Sequence, residues 1–166
     1  MASGERPEEQ GTADLHLHTT FSDGTESPAR VVALARDAGL STIALTDHDN
    51  TEAFAIAEPE AIRCGIELLT GIEMSASAEG NEVHVLGFLF DLRNPALVAH
   101  LSEQQARRIA RVHEMVTRLQ DAGVRIDAHE VLQLAGEGTV GRPHVARILL
   151  KHGYVTTTAE AFQRYI

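Results

Sequence analysis

Thr12-Ala13-Asp14-Leu15-His16-Leu17-His18, followed by the polar run Thr19-Thr20-Phe21-Ser22-Asp23-Gly24, is the stretch that decides how this chain is read. Leu15 and Leu17 fall on one side of an extended segment, and Asp14, His16 and His18 on the other. The first seven residues therefore read as a strand over 12–18, and the next six as a loop. Ser27-Pro28 opens a helix, with Ser27 as N-cap and Pro28 in the first turn. Val31, Val32, Leu34, Ala35 and Ala38 give that helix its apolar side, and Gly39 stops it. Leu40 to Leu45 is a short apolar run, as expected for a buried parallel strand, and it empties at once into Thr46-Asp47-His48-Asp49.

The same alternation continues. Asp49 and Glu52 have capping-box spacing for a helix over 50–64. Strands are expected over 66–72, closing on Glu73, and over 82–90, carrying His84. Strand and helix in turn predict an α/β fold with a mainly parallel sheet. After Asp91 the period changes. Leu101, Ile109, Val112, Val116 and Leu119 mark one face of a long helix over 95–122. Asp127 with Glu130 caps a short helix, Pro143 starts another, and Thr157 with Glu160 caps a last one. The expected organisation is a leader over 1–11, an α/β unit over 12–94 and a helical subdomain over 95–166.

The chain has 166 residues, 43% apolar and 23% charged, with a net charge of −10. That supports one ordinary core and excludes a disordered tail or a disulfide scaffold. No apolar run approaches a membrane span, and the first residues lack the apolar stretch of a signal peptide. Cys64 is a lone cysteine, consistent with a reducing cytoplasm. Residues 1–92 carry 4 basic against 17 acidic side chains, and residues 93–166 carry 10 against 7. An acidic half rich in histidine suits divalent cations, and a basic half beside it suits an anionic substrate. The overall acidity argues against long duplex nucleic acid as a partner.

His16 and His18 project from one strand face about 7 Å apart along the backbone at roughly 3.3 Å per residue. By itself this fits a metal pair or two surface histidines on an edge strand. Asp23, His48, Asp49 and Glu73 then fall at the carboxyl ends of successive strands, the side where parallel α/β folds carry out chemistry. Helix capping accounts for Asp49 but not for His16, His18 and His48. As a set these residues predict a divalent-metal site, with His84, inside a strand, its loosest member.

Asp14 through Gly24, Thr46 through Asp49, Gly71-Ile72-Glu73 and Glu82-Val83-His84-Val85-Leu86-Gly87 resemble successive motifs of the PHP (polymerase and histidinol phosphatase) family. Gly141-Arg142-Pro143-His144 with Gly153-Tyr154-Val155 resembles its small bacterial phosphoesterases, which act on nucleoside 3′,5′-bisphosphates and on 5′ ends of short RNA. The resemblance implies a distorted barrel of the (βα)7 type, incomplete here, with a helical insert. It implies two to three divalent ions, Mn²⁺ first and Zn²⁺ or Fe²⁺ as alternatives. His16, His18 and Glu73 would hold the first; Glu73 would bridge to a second shared with His84; Asp23 and His48 would hold the third. Asp14, Asp47 and Asp49 would orient the histidines from behind. Phosphate esters of small nucleotides or short oligonucleotides would be hydrolysed by a metal-activated hydroxide. Arg142 would clamp phosphate, and His144 would donate to it or relay a proton. Arg107, Arg108, Arg111 and Arg118 read as a solvated helix face.

Family members carry remaining ligands in later motifs, so this chain is expected to be the N-terminal part of such an enzyme, with an unpaired strand edge, a marginal fold and weak turnover. Two other readings stay open. One is a PHP domain that binds metal or a partner without turnover. The other is an amidohydrolase-like metallohydrolase. The second usually needs a bridging lysine, and the single lysine here, Lys151, lies in the helical half.

Overall fold

A computed structural model describes residues 11–166; the expected leader therefore falls, apart from Gly11, outside the described residues. Four strands form one sheet in the order β1-β2-β3-β4: β1 (Thr12–Leu17), β2 (Leu40–Leu45), β3 (Glu67–Ala78) and β4 (Asn81–Phe88). Between them run α1 (Pro28–Asp37) and α2 (Ala53–Cys64); after them come α3 (Pro95–Asp121), α4 (Ala128–Ala135), α5 (Arg142–Lys151) and α6 (Thr158–Arg164). The chain is mixed α/β, as expected.

β1 and β2 pair in parallel, as do β2 and β3. Each needs a crossover, and α1 and α2 supply it. β4 departs from the expected pattern. β3 does not stop at Glu73 but runs on to Ala78, and Glu79-Gly80, both at positive φ (52° and 82°), turn the chain straight back. Two residues can join only antiparallel strands. β4 accordingly lies antiparallel on β3, with Ser75 opposite His84 and Glu73 opposite Leu86. The hairpin delivers His84 to the same end of the sheet as Glu73.

Two separate cores form. Val32, Ile43 and Ala57, all fully buried, pack α1 and α2 against the sheet. Val112, Val131, Val145 and Leu149 close a second core among α3 to α6. Only the C-terminal half of α3 enters it. Ile109, expected on its buried face, is 42% exposed. At its other end the same helix lies beside the carboxyl-end rim of the sheet. Among the described residues no helix is long and apolar enough to cross a membrane.

Most caps follow the sequence reading. Ser27 accepts from Arg30 N, Asp127 from His129 N and Thr157 from Glu160 N. The Asp49–Glu52 box does not form. Asn50 Oδ1 accepts Glu52 N instead, and Asp49 is fully buried and bonded elsewhere. Glu130 does not complete the cap of α4 but pairs with Lys151 and His152.

Candidate metal centre

The rim is built by strand ends. His16 lies in β1 and His18 one residue beyond it. Beyond β2 the chain keeps an isolated parallel bridge between His48 and Glu73, with Asp49 N donating to Glu73 O at 2.9 Å. Asp23 comes from the loop before α1, and His84 from β4. Thus three parallel strand ends, one loop and one hairpin strand deliver six donors to one place.

Glu73 is the hub. Its side chain is 7% exposed, and its Oε2 lies 2.9 Å from His16 Nε2, 3.0 Å from His18 Nε2 and 3.7 Å from His48 Nδ1. Its Oε1 lies 2.7 Å from His84 Nδ1. Asp23 sits across the cluster, 3.4 Å from His18 Nδ1 and 3.7 Å from His48 Nε2. Donor atoms fall into three groups, each within 4.8 Å: His16–His18–Glu73, His18–Asp23–His48 and His48–Glu73–His84. Burial opposes the charge of Glu73, but hydrogen bonds from His16 and His84 and the charge of His48 hold its carboxyl below the usual range. His48 beside Asp23 pushes that carboxyl down to about 2. Burial lowers His18. Two ionised carboxylates among four imidazoles make a site that favours a cation.

His48 Nδ1 is buried with no hydrogen-bond partner, although it faces the carboxylate hub. An orphaned imidazole nitrogen aimed at a carboxylate fits a cation between the two, here on the Glu73 side, while toward Asp23 the same ring presents Nε2. The set is nitrogen and oxygen without thiolate, which suits Mn²⁺, Zn²⁺ or Fe²⁺.

The three supporting aspartates act otherwise than expected: none hydrogen-bonds an imidazole directly. Asp14 Oδ1 accepts the backbone amide of His16. Asp47, almost fully buried, accepts from Thr19 N, the Thr19 hydroxyl and the Ser22 hydroxyl, at 2.7, 2.8 and 2.6 Å. It reaches His18 only through Ser22 Oγ, which lies 3.3 Å from His18 Nδ1. Asp49 accepts Ser75 N and the guanidinium of Arg108, each at 2.8 Å. Buried carboxylates take the nearest strong donors, and here those are backbone amides, hydroxyls and an arginine.

Beside the donors opens a cleft of about 150 Å³, lined by Asp23, His48, His84, Arg108, Arg111 and Arg142 among others. Arg108, expected on a solvated face, is largely shielded, whereas Arg111 stays half exposed but is paired. Arg108 is tied to Asp49, to Ser75 Oγ at 2.7 Å and to Val140 O, with its side chain 16% exposed. Arg111 holds both oxygens of Glu82, and Arg142 adds a third contact at 3.3 Å. Arg111 drives the Glu82 carboxyl down to about 2. The i,i+3 spacing of Arg108 and Arg111 was the available signal, since such residues share a helix face. Thr139, buried with an unpartnered hydroxyl, also lines the cleft. Arg107 and Arg118 remain on the exposed side of α3.

His144 is 2% exposed, and its Nδ1 accepts Gly141 N at the start of α5. That bond places the proton of the neutral ring on Nε2, and burial lowers its pKa. One ring nitrogen is thus committed to bracing the helix. The triplet Asp127-Ala128-His129 in the helical half belongs to none of the three donor groups, and Asp127 caps α4.

A sequence profile described as the PHP domain matches residues 14–162. The chain is 39% identical over 153 residues to a 5′-3′ exoribonuclease of Haemophilus influenzae, covering 92% of this chain and 56% of that one. It is 34% identical over 154 residues to a 3′,5′-nucleoside bisphosphate phosphatase of Chromobacterium violaceum, covering 92% and 54%. Among solved structures, a metal-dependent phosphoesterase from Bifidobacterium adolescentis superposes with a TM-score of 0.88 at 35% identity, covering 97% of this chain and 56% of that one. The chain spans about half the length of the curated relatives it matches.

Proposed function

The chain belongs to the PHP domain family, and from that premise we propose that its rim serves a metal-dependent phosphoesterase acting on small phosphorylated nucleotides or the 5′ ends of short oligonucleotides. The observation that carries this reading is the six-donor cluster with its orphaned His48 nitrogen, open to a cleft edged by three arginines. His16, His18 and Glu73 would hold one divalent ion, Glu73 and His84 a second, and Asp23 with His48 a third. Mn²⁺ is the first choice of ion, with Zn²⁺ or Fe²⁺ as alternatives. Such ions supply Lewis acidity toward a phosphate oxygen and a lowered pKa for water.

The chain's own residues bind and orient the substrate. Arg142 opens α5, where free backbone amides also favour an anion. Its guanidinium and that of Arg111 already grip a carboxylate, Glu82, in the manner in which they would grip a phosphate. A phosphate entering the cleft would take the place of Glu82 on one or both arginines. Arg108 is held by Asp49 and so contributes positive charge without leaving its place. His144 keeps the first turn of α5, and so Arg142, at the edge of the cleft. The relatives are named for action on a nucleoside bisphosphate and on RNA, which supports a nucleotide substrate.

The test is phosphate release from a nucleoside 3′,5′-bisphosphate and from a short 5′-phosphorylated oligonucleotide, with chelator-treated protein before and after Mn²⁺ is restored. Metal-dependent release from either substrate supports the reading. Binding of metal and nucleotide without turnover, or cleavage of amides in place of esters, would replace it.

A further inference from the structure

The helical half grips the sheet half at the loop that carries Asp23, and it does so from three places. Thr139 N donates to Phe21 O at 2.8 Å. Gly138 comes so close that a Cβ placed on it would lie 2.5 Å from Thr20 O and 2.9 Å from Phe21 Cα, so only glycine fits against that backbone. Arg147, on α5, donates through Nη2 to the carbonyl of Asp23 itself.

The two ends of the loop are held differently. Thr19 and Ser22 are tied to Asp47 on the sheet side. Asp23 is not: its backbone carbonyl takes its bond from Arg147, 124 residues away in sequence. Among the described residues Arg147 makes no ion pair within 4 Å, although it is partly buried. Its guanidinium is spent on a single backbone oxygen, and that oxygen belongs to a residue of the donor cluster. The carboxylate of the same residue faces His18 and His48 at 3.4 and 3.7 Å. The donors His16, His18, Glu73 and His84, by contrast, take no hydrogen bond from the helical half themselves; among the described residues it reaches the hairpin only at Ser75 and Glu82.

We infer that Arg147 is a positioning residue for the Asp23–His48 metal position, so that the helical half completes that position while the Glu73 positions depend on the sheet. The inference rests on the metal reading proposed above. A ligand-bearing loop released from such a support typically costs 10- to 100-fold in metal affinity.

The experiment is Mn²⁺ titration of the full chain, with free ion followed by electron paramagnetic resonance and folding checked by circular dichroism. Four proteins are compared: the unaltered chain, Arg147→Met (which keeps the aliphatic stem), Asp23→Asn and the double variant. One class of Mn²⁺ sites should weaken about 10-fold or more in Arg147→Met, with the remaining class unchanged. Arg147→Lys, which still offers a cationic donor, should recover part of the loss. In the Asp23→Asn background, Arg147→Met should add nothing, because its effect runs through Asp23. Unchanged Mn²⁺ binding in Arg147→Met, equal weakening of every class, or a loss that persists beside Asp23→Asn would overturn the inference and leave the metal reading standing. No Mn²⁺ uptake by the unaltered chain would overturn both. Should Arg147→Met not fold, Gly138→Ala replaces it, since it displaces the same loop without removing a charge, and the same outcomes apply.

Discussion

Arg108→Met tests the joint between the two halves of the molecule. Asp49 is fully buried, and its Oδ2 meets Arg108 at 2.8 Å while Oδ1 takes the amide of Ser75 at 2.8 Å. Removing the guanidinium leaves a buried carboxylate with one good donor. Breaking a buried ion pair from one side costs about 3–5 kcal/mol. Because the Ser75 amide remains, the lower end applies, about 3 kcal/mol. Against a domain stability of about 5–15 kcal/mol this is a large share. It corresponds to a fall in Tm of roughly 6–12 °C for a chain of this size. Adding Asp49→Asn removes the stranded charge, so the double variant should regain about 2 kcal/mol over Arg108→Met alone. Urea unfolding followed by far-ultraviolet circular dichroism measures all four corners of the cycle, with equal m-values as the check on two-state behaviour. A loss below about 1 kcal/mol for Arg108→Met, or additive losses in the double variant, would mean that Asp49 does not depend on Arg108.

Three further outcomes follow from single residues. Burial holds the folded-state pKa of His144 below 6.5, so as pH falls through 6.5 the unfolded chain gains its proton first and stability declines toward acid. His144→Asn should flatten that part of the stability–pH curve, and an unchanged acid slope would remove His144 from the account. Gly71 lies where a Cβ would stand 2.7 Å from Leu45 O. Gly71→Ala should therefore push β3 from β2 and cost about 1–3 kcal/mol in urea unfolding; a neutral change would contradict the packing. Arg142→Ala should weaken nucleotide binding about 10-fold or more while leaving Mn²⁺ affinity within error, and calorimetry with each ligand separates the two. Equal loss of both would make Arg142 structural.

The parallel part of the fold was legible because its signals are local. Apolar runs end in polar loops, Ser27-Pro28 opens a helix, and Gly39 closes it. The clustering of His16, His18, Asp23, His48 and Glu73 followed from one rule, that strands in parallel order point their carboxyl ends the same way. The hairpin was missed because Met74, Ser75, Ala76 and Ser77 carry little apolar weight, so nothing local extended β3 past Glu73. Asp49 has the spacing of a helix cap, yet it is buried by a helix that begins 46 residues later, and no local pattern encodes that contact. Arg108, Arg111 and Arg147 escaped for the same reason. Each looks like a surface charge on its own helix and acquires a partner only when the helical half docks on the rim.

Crystals soaked in Mn²⁺ and measured for anomalous scattering would show whether the rim binds divalent metal through His16, His18, Asp23, His48, Glu73 and His84. Peaks are expected within coordination distance of Glu73, shared with His16 and His18 on one side and His84 on the other, with a further peak between Asp23 and His48. An empty rim in Mn²⁺-saturated crystals, or peaks confined to surface groups such as Glu130 and His152, would contradict the metal reading.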